Sequence, residues 1–370
     1  MEENKEMKPK KKMNKGLKIT LISISSFLGL ILILASAYLI FCGATELKVE
    51  PEMAVSVNGT KSKALHTNEE IKVLTWNVGY CGLDEENDFF MDGGTKSYAT
   101  SETKVKENMT SIQNKVSEIN ADLVMLQEVD VNSKRSWYVN QYESFTEKYK
   151  SSYKNTFALN YKAGLVPLPI TQMLGKVESG ILSLSKYDVR EATRIQLPSP
   201  FSWPISMVNL KRCLLVNRIP VEGSTKELVF VNLHLEAYSD EAGKIEQANV
   251  LKQFIENEYS KGNYVVAGGD FNQTFSNIDT SMYPYREGDW DAPILDTTGF
   301  TNEVFVMDNT HPTCRLLNKP YKGADKSTFQ YYMIDGFIYT KNITMESVNT
   351  LDLEFKNTDH NPVVMSIKLN

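Results

Sequence analysis

Six times along this chain a strand-like apolar run meets a side chain able to hold a proton, a phosphate or a metal ion. Asn77 falls at the end of Ile71–Val78, Glu128 ends Leu123–Glu128, and His234 ends Leu228–His234. Asp270 and Asn272 follow Tyr264–Ala267, Asp335 sits within Tyr331–Tyr339, and Asp359-His360 precedes Pro362–Ile367. β-Branched and aromatic content marks the runs as strands. One such residue alone is commonly a strand terminator, a solvated carboxylate or a turn former. Six of them constrain the fold: the strand ends must converge on one cleft, where sheets commonly bind ligands. Within Val265–Asn272, alternation along an extended backbone would point Asp270 and Asn272 to one side. Gly268-Gly269 would let the chain turn tightly at the cleft floor.

Two helical patterns lie between the strands. Val105, Met109, Ile112, Val116 and Ile119 recur at helical spacing, as do Ile245, Ala248, Leu251, Ile255 and Tyr259. Each would lay one apolar stripe on a sheet. Leu123–Leu126 is continuously apolar, as in strands covered on both faces. Gly180–Leu184 and Glu191–Leu197 read as paired strands, and Pro198–Leu210 as an apolar, proline-punctuated loop. Residues 131–176 read as a short helix, a strand near Thr156–Leu159 and a loop. No repeat is visible. The order of elements suits an α/β (α+β) class of layered sheets with helices outside.

Ile19–Phe41 is 23 residues without a charge, ~34 Å long as a helix, enough to cross a bilayer core. Lys8, Lys10, Lys11, Lys12, Lys15 and Lys18 precede it, which places the N-terminus in the cytoplasm and the following domain outside. A cleaved signal peptide competes with an uncleaved anchor, but its apolar region is ordinarily only ~7–15 residues. Phe41 stands before Cys42, where a lipoprotein signal needs a small residue, so lipidation is not expected. The expected organisation is a basic cytoplasmic tail (1–18), a transmembrane helix (19–41), a polar tether (42–69) and a catalytic domain (70–370). After residue 44 the chain holds 33 basic and 43 acidic side chains, a formal −10 against −6 for the whole. Broad nucleic-acid binding needs many Lys/Arg–phosphate contacts, so this balance disfavours it. Cys81, Cys213 and Cys314 match neither a disulfide framework nor a zinc site. Cys213 opens an apolar run and should be a buried thiol.

Carboxylates, amides and two histidines suit Mg²⁺, Mn²⁺ or Ca²⁺ better than a closed zinc site. A cation, an acid/base pair and amide donors are the equipment for hydrolysing a phosphoester. In order, Trp76-Asn77, Leu126-Gln127-Glu128, Asn232-Leu233-His234, Gly269-Asp270-Phe271-Asn272, Ile334-Asp335 and Thr358-Asp359-His360 resemble the signatures of the endonuclease/exonuclease/phosphatase superfamily. The resemblance covers residues 70–370. It implies a four-layer sandwich, two mostly antiparallel β-sheets packed face to face with helices outside. It implies Glu128 as the principal Mg²⁺ ligand, with Asn77 and Asp359 completing or supporting the metal site. It implies His360 on the scissile phosphate, oriented by Asp335. Asp270 would activate water or serve the leaving group, Asn272 would hold the phosphate or that water, and His234 would contact the phosphate from the other side.

The expected activity is metal-dependent hydrolysis of a phosphodiester or phosphomonoester by a membrane-anchored monomer. Deoxyribonuclease I-like relatives carry an arginine shortly after the metal-ligand glutamate. Here Glu128-Val129-Asp130 puts an acid there, which weakens a DNA substrate. Extracellular DNA or RNA, a lipid headgroup of the sphingomyelinase or phosphoinositide kind, and a small phosphate ester stay open. Phe201, Trp203, Ile205 and Met207 would either enter a membrane interface, where Trp is favoured, or pack over a sheet edge. A catalytically silent binding module is disfavoured, because no catalytic position is substituted. Arg212 precedes a strand facing the cleft, where it would touch an anion, but an exposed surface arginine is the expected reading; His66 and His311 match no motif.

Overall fold

The computed structural model describes residues 13–60, 62–239 and 241–370, and its first helix, α1 (Lys15–Thr45), encloses the whole charge-free stretch. It is long and apolar enough to cross a bilayer. Residues 1–12 of the basic tail, with Lys8, Lys10, Lys11 and Lys12, lie outside the described residues, while Lys15 and Lys18 belong to the first turn of α1. Residues up to Thr45 form one unit and Glu46–Asn370 the other.

In the second unit the chain runs β1 (Glu52–Ala54), β2 (Ile71–Asn77), α2 (Glu102–Ile119), β3 (Leu123–Asp130), α3 (Gln141–Tyr149), β4 (Lys154–Val166) and β5 (Gly175–Ser185). It continues as β6 (Glu191–Gln196), β7 (Cys213–Pro220), β8 (Glu227–His234), α4 (Glu241–Ser260) and β9 (Tyr264–Asp270). Two short ribbons, β10 (Thr274–Phe275) with β11 (Ile294–Leu295) and β13 (Cys314–Arg315) with β14 (Tyr331–Tyr332), flank β12 (Glu303–Val306). The last strands are β15 (Asp335–Thr340), β16 (Ile343–Thr350) and β17 (Val363–Leu369). One sheet has the order β1-β6-β7-β8-β9-β15-β12 and the other β16-β17-β2-β3-β5-β4. Each contains one parallel pair, β8/β9 or β2/β3, joined through a helix, and is otherwise antiparallel. The two sheets therefore repeat one topology that no sequence similarity betrays.

Alternation explains both the core and the cleft. Val73, Leu123, Met125, Val363 and Met365 of one sheet meet Leu228, Phe230, Val266, Phe337 and Tyr339 of the other. The opposite faces carry Leu74, Trp76, Val124 and Leu126 beneath α2, and Val229, Val231, Val265 and Ala267 beneath α4. The result is the expected four layers, helix, sheet, sheet, helix. Ser101 caps α2 by accepting from Lys104 N, and Asn120 closes it in a left-handed turn. Continuing along the inner faces, the apolar residues give way to Asn77, Gln127, Asn232, His234, Asp270 and Asp335. β15 runs antiparallel to β9, so its start lies beside the end of β9, with Asp335 opposite Asp270.

Three expectations change. β5 and β6 are not partners: β5 is already flanked by β3 and β4, and β6 pairs with β1 and β7 in the other sheet. The link between them crosses the sandwich with Tyr187 and Val189 buried in the core. The stretch expected as a tether is tied to sheet edges at several points rather than hanging free. β1 adds to β6, Asn58 bridges Asn155, and Leu65, 1% exposed, enters the inter-sheet core. Its apolar side chains, scattered in a polar segment, are what the edges need to be covered. Gly268-Gly269 lie inside β9 and make no turn. A Cβ at Gly268 would sit 2.5 Å from the Phe337 ring, and one at Gly269 (φ 154°) 1.9 Å from Leu233 O, so glycine serves close approach here.

Candidate active site

Asp270 is the meeting point. Its Oδ2 accepts from Asn77 Nδ2 at 3.0 Å, across from the other sheet, and lies 3.5 Å from His234 Nε2 and 3.8 Å from His360 Nε2. Its Oδ1 accepts the Asn272 backbone N–H at 2.8 Å. Asn272 has φ 50°, so the chain leaves the extended conformation here, and the expected alternation with Asp270 fails. The Asn272 side chain still lines the pocket, with Nδ2 donating to Leu235 O at 2.9 Å. Burial first, then the neighbouring Asp335, raises the Asp270 carboxyl to about 7.

His360 Nδ1 lies 2.8 Å from Asp335 Oδ2, a buried Asp–His pair. Burial opposes a charged ring, but Asp335, with Asp359 also contributing, holds the imidazole pKa well above its ordinary value. His234 goes the other way: burial, then Arg212, drives it well below. Two histidines flanking one carboxylate are thus biased in opposite directions, His360 toward the imidazolium and His234 toward the neutral ring.

Glu128 sits where the β3–β5 register shifts between Leu126 and Val129, with φ 57°. The bulge turns its side chain out of the ladder. Oε1 accepts from Asn77 Nδ2 at 3.3 Å, and Oε2 lies 3.2 Å from Arg135 Nη1. Arg135 is buried, held by Asp130 through Nε and Nη2 at 3.2 and 2.9 Å, and stacked 4.1 Å over the Tyr80 ring. Asn77 Oδ1 accepts from Gly79 N at 3.0 Å, so this amide orients Glu128 and Asp270 through its NH₂ group. Beneath it, Gln127 Nε2 donates to Asn232 Oδ1 at 2.8 Å and ties the two sheets together.

One pocket is lined by Glu128, His234, Asp270, Asn272, Asp359 and His360, with Asn77 and Asp335 hydrogen-bonded directly behind them. All eight residues picked from the sequence meet here. Three buried arginines line the same pocket, Arg135, Arg212 and Arg315; sequence reasoning gives no sign of Arg135 and Arg315 and takes Arg212 for a surface charge. Arg212 corrects an expectation: it is 3% exposed, 3.5 Å from Glu236, and its Nη1 has no partner among the described residues. His66 and His311 remain exposed and away from the pocket.

The donors fit a hard divalent cation. The carboxyl of Asp359 is raised by burial and also by the charge of Glu128, a repulsion that a cation between them would reverse. Gly79 keeps this corner open, since a Cβ there would fall 2.7 Å from Asp359 Oδ1. Two further groups bring possible ligand atoms within 4.8 Å of one another, Asp270 with Asp335 and His360, and Cys314 with Asp359 and His360. Neither includes Glu128. The four cysteines are free thiols, and Cys213 is buried as expected.

Residues 74–354 match the profile of the Endonuclease/Exonuclease/phosphatase family. No curated protein matches the chain. Among solved structures, the fold is similar to an endonuclease/exonuclease/phosphatase from Beutenbergia cavernae (18% identity, TM-score 0.54, 82% of this chain and 72% of that one). It is also similar to one from Bacteroides vulgatus (15%, 0.51, 82% and 100%). The human Nocturnin catalytic domain with bound sulfate is a third (14%, 0.50, 85% and 98%). At these identities the structures carry the fold, and the profile carries the kinship. With six ordered motifs meeting at one end of a four-layer sandwich, this chain belongs to the endonuclease/exonuclease/phosphatase family, whose members are phosphodiesterases, nucleases and phosphatases.

Proposed function

We propose that the protein is a divalent-metal-dependent phosphoesterase, held at a membrane by α1 with residues 46–370 outside the cell. The observation that carries the chemistry is the Asp335–His360 pair, 2.8 Å apart, with the His360 ring 3.8 Å from a buried Asp270 whose carboxyl burial and then Asp335 push up to about 7. A group titrating near the working pH is suited to proton transfer. In this reading Asp270 takes the proton from water, and neutral His234 and Asn77 hold its carboxylate in place. The His360 imidazolium donates from Nε2 to a phosphoryl oxygen, while Asp335 fixes Nδ1–H and stabilises the charge. Asn272 stands beside the attacking water. Mg²⁺, Mn²⁺ or Ca²⁺ held by Glu128 and Asp359, with Asn77 in support, would supply positive charge opposite the phosphoryl oxygens.

Cleavage of nucleic acid is the competing substrate reading, and the formal −10 of the outer unit counts against it. The test is a substrate panel of DNA, RNA, sphingomyelin and phosphoinositides offered to the full chain in detergent with Mg²⁺. One class turned over by the parent and not by His360→Ala supports the reading. Parent and variant equally inert on every class would sink it. Protease added to intact cells should cut the domain, and full protection would overturn the outside placement.

A further inference from the structure

Two loops from different strands build one apolar rim on the pocket. The tip of the β4–β5 hairpin exposes Leu168, Ile170 and Met173, and the loop before β7 exposes Trp203 and Ile205, with Ile170 at 77% and Trp203 at 68%. Five large apolar side chains are thus exposed at the tips of two loops. Neither loop is loose. Their bases share a buried cluster, Tyr161, Ala163, Leu174 and Val177 against Val208 and Leu210. The hairpin tip is tied back by Ser97, whose N–H donates to Gln172 Oε1 at 3.0 Å and whose hydroxyl donates to Gln172 O. The same bases reach the catalytic pocket, which Tyr161, Leu174 and Leu210 line together with Glu128 and His360. Lysines stand just behind the apolar tips. Lys134 Nζ bonds Met173 O at 3.0 Å and lies over the Tyr98 ring, whereas Lys176 on the hairpin arm is 3.8 Å from Glu178, and Lys211 is largely buried, bonded to Ser206 O at 2.7 Å and 3.5 Å from Glu46. Apolar tips with the Lys134 amine behind them match the layering of a bilayer, apolar chains beneath phosphate headgroups.

We infer that this rim docks into the headgroup–acyl boundary of a lipid bilayer and that the pocket behind it receives the phosphoester of a membrane lipid. The substrate class rests on the phosphoesterase reading above; the docking does not. A chain that carries a helix of bilayer length meets such a surface wherever that helix is inserted. Trp203 and Ile170 enter the apolar boundary, Lys134 meets the phosphates, and the lipid headgroup passes between the two loops to His360.

The chain's four tryptophans all lie outside α1, and Trp76 is buried, so emission reports on the domain alone. The full chain is reconstituted into vesicles of phosphatidylcholine, phosphatidylglycerol, phosphatidylinositol and sphingomyelin, the phosphatidylcholine brominated on its acyl chains. Bromine should quench the parent's fluorescence, and Trp203→Phe should remove most of that quenching. Equal quenching in both chains, or none in the parent, overturns the docking. Ile170→Asp and Trp203→Ser should lower turnover of the vesicle lipids about tenfold or more and leave the soluble ester bis(p-nitrophenyl) phosphate unaffected. An equal loss on both esters overturns the assignment of the rim to lipid delivery. If the parent turns over neither ester, the phosphoesterase reading fails, and quenching alone still decides the docking.

Discussion

Replacing Asp335 by asparagine keeps the shape of a side chain that is fully buried and removes one charge. The backbone N–H of Asp335 still donates to Thr313 Oγ1 at 3.1 Å, so β15 keeps its start. His360 then loses the nearest of three carboxylates, at 2.8 Å, and keeps Asp270 and Asp359, each at 3.8 Å. At an effective dielectric of about 20 the lost contact is worth roughly 6 kcal/mol and each remaining one roughly 4 kcal/mol. Measured losses for a broken buried pair are smaller, about 3–5 kcal/mol. The low end moves the titration of His360 down by about two pH units. The imidazolium is the active form, so activity is lost as pH rises through its raised pKa, and Asp335→Asn should lose it at lower pH. The Asp270 carboxyl, held near 7 by burial and then by Asp335, also falls when Asp335 is neutralised, which moves the acidic limb down as well. The whole pH profile of kcat should therefore shift toward acid, with turnover at mildly alkaline pH down about tenfold to a hundredfold. A profile that keeps its position and is merely scaled down at every pH would refute the proton-holding role of this pair.

Three further outcomes are expected. Gly269→Ala forces a methyl against Leu233 O, 1.9 Å from its ideal position, and should cost about 3 kcal/mol or more in urea unfolding; a loss under about 1 kcal/mol means that β8 and β9 are not packed this closely. Leu65→Ala should cost about 2–4 kcal/mol, because the segment before β2 contributes to the core; a free tether would give no change. Glu258 accepts from Arg218 at 3.0 and 2.9 Å, Lys261 at 2.8 Å and Asn263 at 2.7 Å, and although burial opposes it, these donors lower its carboxyl to about 2. A lowered carboxyl stabilises the fold above its unfolded pKa and loses that contribution as pH falls through the folded value. Glu258→Gln should thus destabilise by about 2–3 kcal/mol at pH 7, with the gap to the parent narrowing below about pH 4; a gap independent of pH contradicts it.

The strands and the polar ends of the cleft were legible because both faces of each sheet are covered. Coverage makes the runs continuously apolar, and a carboxylate or imidazole at the end of such a run stands out. The two helices show for the complementary reason, one buried stripe each. The arginines were hidden. Arg135 comes seven positions after Glu128, in an ordinary polar stretch, and only the turn after β3 brings it back onto that carboxylate. Arg212 looks like a strand-leading surface charge until β7 pairs and Glu236 folds over it. Sequence nearness suggests a hairpin of β5 with β6, whereas partners are set by which edges are still open. Asn272 was placed by alternation, which ends where the backbone turns left-handed. Residues 42–69 read as a tether on their polarity, yet a few apolar residues such as Leu65 are enough to pack.

The central claim is phosphoester hydrolysis at the Asp335–His360–Asp270 centre with a divalent cation. The most direct measurement is p-nitrophenol release from bis(p-nitrophenyl) phosphate by the full chain in detergent, with Mg²⁺, with EDTA, and with His360→Ala. The account predicts turnover with Mg²⁺, its loss in EDTA, recovery on adding Mg²⁺ back, and a loss of at least about a hundredfold in the variant. Turnover unaffected by EDTA, or equal in parent and variant, would contradict it.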